Sequence, residues 1–228
     1  MNEVFDMLDN PVWHALQTTH QAFAQGNARI QRYPAGTLQF TGCADPLTTD
    51  LNQILPWTVK NERLILIGDL PQLPPEWSLV RQLDCIQMVC HQPETVPVTA
   101  AITRLTSADV PDMLSLTSLV QPGFFYKNTP LLGTYYGIRQ EGQLVAMAGE
   151  RICMTGLTEV SGVCTHPSYT GRGYAQQLVS KIVNENMSQG LIPYLHFVHT
   201  NERAGKIYDL LGFRERRAIV FWEIIRVG

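Results

Sequence analysis

The 228-residue sequence predicts a mixed α/β fold in two parts, residues 1–97 and 98–228. Short runs rich in Val, Ile, Leu and aromatic residues alternate with stretches whose apolar residues recur at helical spacing. The run QPETVPV, residues 92–98, sets two prolines between apolar segments and marks the division. The second part holds a strand, a glycine turn and a helix in direct succession at residues 159–175 (EVSGVCTHPSYTGRGYA), which the first part does not repeat.

In the first part, residues 12–24 read as a helix with Trp13, Leu16, His20 and Phe23 on one stripe. Residues 38–41 read as a strand, 46–55 as a short helix, 64–67 as a buried strand and 86–90 as another strand. PQLPPEW at 71–77 is a proline-stiffened loop. His14, His20 and His91 read as structural.

The second part opens with a strand at 98–105. Ser107 and Asp109 introduce a helix carrying Val110, Met113, Leu114 and Leu116, and Pro122-Gly123 ends it. Phe124, Phe125 and Tyr126 follow in a loop. Residues 135–139 and 144–154 form a hairpin about the polar turn at 140–143. Val160, Val163 and Cys164 give the next segment strand character, and His166-Pro167-Ser168 ends it. From Tyr174 the apolar period becomes helical through Ala175, Leu178, Val179, Ile182, Val183 and Met187, with a stop near Gly190. Residues 192–200 are a further strand. Residues 201–213 are a helix capped by Asn201, striped by Ala204, Ile207, Tyr208 and Leu211, and closed by Gly212.

Apolar content of 45% and a net charge of −3 point to no nucleic-acid or anionic-membrane partner. Five cysteines without paired CxxC spacing argue against a disulfide framework or a metal site. The start, MNEVFDML, lacks the basic and apolar regions of a signal peptide, and no apolar run would span a bilayer, so a cytoplasmic protein is expected.

Gly171-Arg172-Gly173 lies where free N–H groups meet the positive end of a helix dipole, an arrangement suited to phosphate or pyrophosphate. The dinucleotide fingerprint fails because Gln176 stands where its third glycine belongs, and the Gly-Lys-Ser/Thr of a P-loop is absent. Taken alone, GxG also reads as a close-packed joint. The following motif, N-x-x-A-x-x-x-Y-x-x-L-G-F from Asn201 to Phe213, changes that balance. Together with VCTHPSYTGRGYA it resembles the acyl-coenzyme A site of the N-acetyltransferase (GNAT) superfamily, and more narrowly the branch that includes glycine N-acyltransferase-like enzymes. The resemblance covers residues 144–222, with weaker support back to Val98.

The resemblance implies a mostly antiparallel GNAT-type sheet flanked by helices for 98–228, preceded by a degenerate, non-catalytic α/β domain at 1–97. It implies acetyl-coenzyme A as acyl donor and an amine, small-molecule or peptide, as acceptor. A homodimer is compatible with it. The backbone of Val163 and Thr165, with Cys164 between them, would pair with the pantetheine arm as an added strand does. Gly171, Arg172, Gly173, Tyr174 and Ala175 would offer amides to the pyrophosphate, and Asn201 and Ala204 would meet the carrier beside them. Ser168 and Thr170 depart from the Gln or Arg common at these positions, which weakens the phosphate attraction.

Tyr208 is the implied general acid for the departing thiolate, and Glu159 the implied general base. His196 and His199 are alternatives for the base. Strand alternation groups Glu159, Ser161 and Val163, and Gly162 is placed to form a bulge that resets the parity beyond it. The chemistry is direct attack of a neutral amine on the thioester in a ternary complex. Holding the reactants in attack geometry supplies ~7–11 kcal/mol, more than the ~10²–10⁴-fold of a general base. A non-catalytic acyl-coenzyme A sensor is the alternative reading, and a scaffold built on the N-terminal part is a third. The sequence names no acceptor.

Overall fold

The structure, a computed structural model, describes residues 3–228. Two short helices, α1 (Glu3–Asp6) and α2 (Pro11–Gln17), open it, and β1 (Gln25–Gly26), β2 (Ile30–Arg32) and β3 (Thr41–Cys43) pair as a small antiparallel sheet. Next come β4 (Arg63–Ile67), β5 (Trp77–Cys90), β6 (Ile102–Arg104), α3 (Val110–Val120), β7 (Tyr135–Gln140), β8 (Gln143–Met154) and β9 (Leu157–Thr165). The chain finishes with α4 (Tyr174–Ser188), β10 (Ile192–Val198), α5 (Glu202–Leu210) and β11 (Phe213–Arg226). Strands β4 to β11 form one eight-stranded sheet in the order β4-β11-β5-β10-β9-β8-β7-β6. Every neighbouring pair is antiparallel except β9 and β10.

The proline-marked division at 97/98 is not a division of this sheet. Strand β5, from the first part, lies between β10 and β11, both from the second, and pairs with β11 from Trp77 to Cys90. Only residues 86–90 of β5 carry a readable strand signal. Its first half, from Ser78 to Asp84, is largely exposed and lacks apolar alternation, so the backbone pairing rather than burial defines it.

Other elements move by local chemistry. The helix expected over 12–24 ends at Gln17, where Thr18 leaves helical space at φ −126° and ψ −107° and its hydroxyl donates to the His14 carbonyl. The short helix expected over 46–55 is a 3-10 segment at Leu51–Trp57, capped by the Asp50 carboxylate. The strand expected over 38–41 begins at Thr41, and the one expected over 98–105 narrows to β6. Thr106, rather than Ser107, forms the capping box with Asp109 ahead of α3.

Both faces of the sheet are covered. Leu8, Leu16, Tyr33 and Phe40 pack on Val89, Ile152, Leu157 and Tyr194 on one side. On the other, Leu178, Val179 and Ile182 of α4 pack on Met88, Ile138, Val160 and Leu195. Burial of that apolar stripe, at about 25 cal/mol per Å², holds α4 across the strands and fixes where its N-terminus points.

Candidate active site

The site begins with a bulge. Ser161 pairs with Gly149 and Cys164 with Met147, so β9 carries one extra residue between them, and Gly162 within it takes φ +62°. That left-handed conformation costs glycine no Cβ clash. Strands β9 and β10 pair only from Leu157 to Glu159 against Ile192 to Tyr194 and separate beyond that point. A cavity of about 440 Å³ opens in the gap. Val163, Cys164 and Thr165 line one wall, Phe197 and Val198 the other. Residues in the lining continue through Thr170 and Ala175, at the start of α4, and Asn201 and Ala204, at the start of α5.

Gly171, Arg172, Gly173 and Tyr174 form the turn between the lining residues Thr170 and Ala175. Gly171 and Gly173 sit at φ +79° and +73°, and Gly173 caps α4 with no side-chain bond. The backbone amides of residues 171–176 donate to no other described residue. Six consecutive free donors at the N-terminus of a 15-residue helix make a nest for an anion. The Arg172 guanidinium lies 4.8 Å from the centre of the Tyr169 ring, close to the same turn.

Asn201 caps α5 through its side-chain oxygen, which accepts from the Ala204 amide at 3.1 Å, and its Nδ2 has no described partner. Tyr208 lines the cavity from α5, packed between Phe197 and Phe213 at ring separations of 5.8 and 6.0 Å. Burial pushes its phenol up to about 12, so it stays protonated at neutral pH. Burial likewise pushes the Cys164 thiol up to about 12, which leaves it a packing group.

Glu159 occupies a different setting from the one its sequence position suggests. It is fully buried and does not line the cavity, whereas Arg151 and His196 do. Arg151 grips it with two parallel bonds, Nε to Oε2 at 2.9 Å and Nη2 to Oε1 at 2.7 Å. His196 Nδ1 lies 2.8 Å from the same Oε1. Burial alone would raise this carboxyl, but Arg151 and His196 outweigh it and hold it down at about 2. Such a carboxylate is far too acidic to take a proton from an amine at neutral pH.

Gln87, on β5, fixes the histidine in turn. Its Nε2 donates to the Leu8 carbonyl at 2.7 Å and lies 2.9 Å from His196 Nε2, while its Oε1 accepts from Arg216. His196 therefore accepts at Nε2 and donates from Nδ1 to Glu159. His199 does not line the cavity. Of the three aromatics after Pro122-Gly123, Phe124 and Phe125 line it and Tyr126 does not. Sequence reasoning misses Arg151 and Tyr135, two more lining residues. For Arg151 the signal was the charged pair Glu150-Arg151 inside an otherwise apolar strand. His20 is structural, bonded to the Tyr33 hydroxyl at 2.7 Å and the Leu132 carbonyl at 3.0 Å.

Among the described residues no group of histidines, cysteines and carboxylates is arranged to hold a metal ion, and no helix is long and apolar enough to cross a membrane.

The FR47-like protein family matches residues 135–222, from β7 to β11. No curated relative matches the chain. Among solved structures, a GNAT-family protein from Novosphingobium aromaticivorans is 31% identical, with a TM-score of 0.89 over 97% of this chain and 99% of that one. A GCN5-related N-acetyltransferase from Kribbella flavida shares the fold at 14% identity, with a TM-score of 0.62 over 98% of this chain and 96% of that one. A GCN5-related N-acetyltransferase-like protein from Streptococcus suis does so at 15% identity and a TM-score of 0.62, over 93% of this chain and 92% of that one. Identity of 31% along nearly the whole of both chains, on this fold, makes the protein a member of the GNAT family of acetyltransferases.

Proposed function

We propose that the protein transfers an acetyl group from acetyl-coenzyme A to a primary amine held in the same cavity. The observation that carries this reading is the continuity of one cavity from the free amides before α4, past the unpaired edge of β9, to Tyr208. The motif spacing supports the finer placement, beside glycine N-acyltransferase-like enzymes.

In this reading the carrier supplies the thioester, and the chain's own groups bind and orient it. Residues 171–175 receive the pyrophosphate, with Arg172 beside them. The exposed backbone of Val163 and Thr165 pairs with the pantetheine arm, and Asn201 and Ala204 flank it. The amine attacks the thioester carbon and the C–S bond breaks. The amine's proton leaves to solvent, and the departing sulfur takes the Tyr208 hydroxyl proton as the phenol regains one from solvent, so that Tyr208 ends unchanged and the sulfur leaves as thiol. Glu159 acts as a positioning residue: it holds Arg151 and His196 and does not meet the amine. Positioning of the two substrates carries most of the acceleration.

Calorimetry with coenzyme A and release of free thiol from acetyl-coenzyme A test this. Gly171→Val with Gly173→Val forces a β-branched residue into left-handed space, costing about 1–2 kcal/mol per residue and disordering the amide nest. Affinity for coenzyme A is expected to fall at least tenfold in a folded protein. Tyr208→Phe is expected to lower kcat ~10²–10⁴-fold with coenzyme A affinity unchanged. Unchanged affinity in the glycine variant removes the binding assignment. Tight binding without amine-dependent thiol release moves the protein to a sensing role.

A further inference from the structure

Strand β5 outlasts one of its neighbours. It pairs with β11 along its whole length, from Trp77 to Cys90, but with β10 only from Cys85 to Val89. One bond follows, from the His199 amide to the Asp84 carbonyl at 2.9 Å, before the chain turns away into α5. Beyond it, no turn or loop among the described residues bonds to the backbone of residues 78–83. The Asp84 carbonyl marks the side that this edge faces. Alternate residues of a strand turn their N–H and C=O to the same side, so Gln82 presents both groups to open space. Val80 is the extra residue of a bulge against β11, which leaves residues 81–84 as the regular part of the edge.

Open strand edges are normally shortened, covered or charged. Residues 77–84 contain no proline, and Leu79 and Val80 are 47% and 38% exposed. The two charged side chains are engaged close by. Arg81 binds Glu223 and lies 5.5 Å from the centre of the Phe124 ring, and the Asp84 carboxylate accepts from Gln82 Nε2 at 2.6 Å.

The free edge leads into the cavity. Strands β9 and β10 separate beyond Glu159 and Tyr194, so the unpaired edges of β9 and β5 border one opening, on either side of the end of β10. Leu83 and Cys85 of β5 line the same cavity as Val163 and Thr165 of β9. Phe221, which pairs with Leu83, adds apolar wall with Val120 and Phe124. Gln82 offers one donor and one acceptor at strand spacing, and the main chain of an extended polypeptide meets them with its own acceptor and donor. A polyamine brings no such pair. Antiparallel pairing places the polypeptide's first residue at the Leu83 end, in the cavity, and carries the rest outward past Gln82.

We propose that the acceptor is the α-amino terminus of an extended polypeptide, added antiparallel to β5 with one residue exchanging both main-chain bonds with Gln82. This rests on the acyl-transfer reading above and names the acceptor class of that site.

The full-length protein with acetyl-coenzyme A is assayed by thiol release on a hexapeptide amide of alanine and serine, on alaninamide and on spermidine. The same hexapeptide is also made with a single N-methyl group on its second, third or fourth residue. The hexapeptide is expected to exceed alaninamide at least tenfold in kcat/KM, because only the longer chain reaches the strand edge. One N-methyl position is expected to remove that advantage, while its neighbours, whose N–H groups face away from β5, change it little. Gln82→Pro takes away an N–H that β11 does not use, a place where a strand tolerates proline. It is expected to bring the hexapeptide down to the level of alaninamide, with coenzyme A affinity by calorimetry retained. Equal handling of hexapeptide and alaninamide, a uniform effect of the three N-methyl groups, or preference for spermidine overturns the proposal. So does a dimer in light scattering that Gln82→Pro splits, since the edge would then belong to a second copy. Binding of the hexapeptide to the coenzyme A-loaded protein with the same N-methyl pattern, but without turnover of any amine, supports the strand site and sinks the acyl-transfer reading instead.

Discussion

Glu159 shows how a single residue changes meaning between sequence and structure. The family resemblance implies a base at this position, while its bonds to Arg151 and His196 make it the buried anchor of two cavity-lining side chains. Its pKa of about 2 lies below the ordinary 4.5, so the ion pair stabilises the fold fully above about pH 4.5, and that contribution is lost as pH falls towards 2. The loss amounts to roughly 3 kcal/mol. Urea unfolding from pH 6 to pH 2 is expected to show this decline, and Glu159→Gln to remove that part of it. At pH 7 the same variant leaves Arg151 buried without its partner and is expected to cost about 3–5 kcal/mol. A variant with wild-type stability and a selectively lowered kcat would restore Glu159 as the base. That Tyr208 and Asn201 face one cavity was legible, because they lie seven residues, two helical turns, apart on one helix. Arg151 carried a local sign, the charged pair Glu150-Arg151 in an apolar strand, but nothing in that sign names Glu159, across the hairpin, as its partner.

At the scale of elements, the bulge in β9 and the separation of β9 from β10 create the site. Gly162 announced the bulge in the sequence, since glycine in a strand marks such a break. Gly149 carried no comparable sign, because its backbone is ordinary and only the ring of Tyr135 demands its lack of a side chain. Gly149→Ala is expected to destabilise the protein by about 1–3 kcal/mol through overpacking, read as a lower urea midpoint with an unchanged slope. An unchanged midpoint would show that the ring moves aside at little cost. Helix α4 was read correctly from Tyr174 to its end because its stripe, its glycine cap and Gly190 at φ +76° are all local signals.

For the whole molecule, β5 ties the two halves into one sheet. Without residues 1–97, β11 would lose both of its neighbours, β4 and β5, and β10 one, and Ile219, Phe221 and Tyr194 would lose the apolar partners Leu8, Leu16 and Tyr33. The deletion is expected to yield insoluble or unfolded protein, checked by expression and circular dichroism. A soluble remainder with full coenzyme A affinity would show that the second half folds alone. Gln87 adds a functional reason for the union, since this β5 residue fixes the tautomer of His196 in the cavity.

The sequence by itself determined the hairpin at Tyr135, the strand, glycine turn and helix that follow it, β10 and α5, and the GNAT membership these imply, because periodicity, capping and glycine placement act over a few residues; it left β11, Phe213–Arg226, unread. Tertiary structure alone decided that β5 fills the place between β10 and β11 and that Glu159 is sealed under Arg151 and His196. Those outcomes depend on strand pairing and side-chain packing across the sheet, where the free energy of a contact leaves no trace in the spacing of either partner.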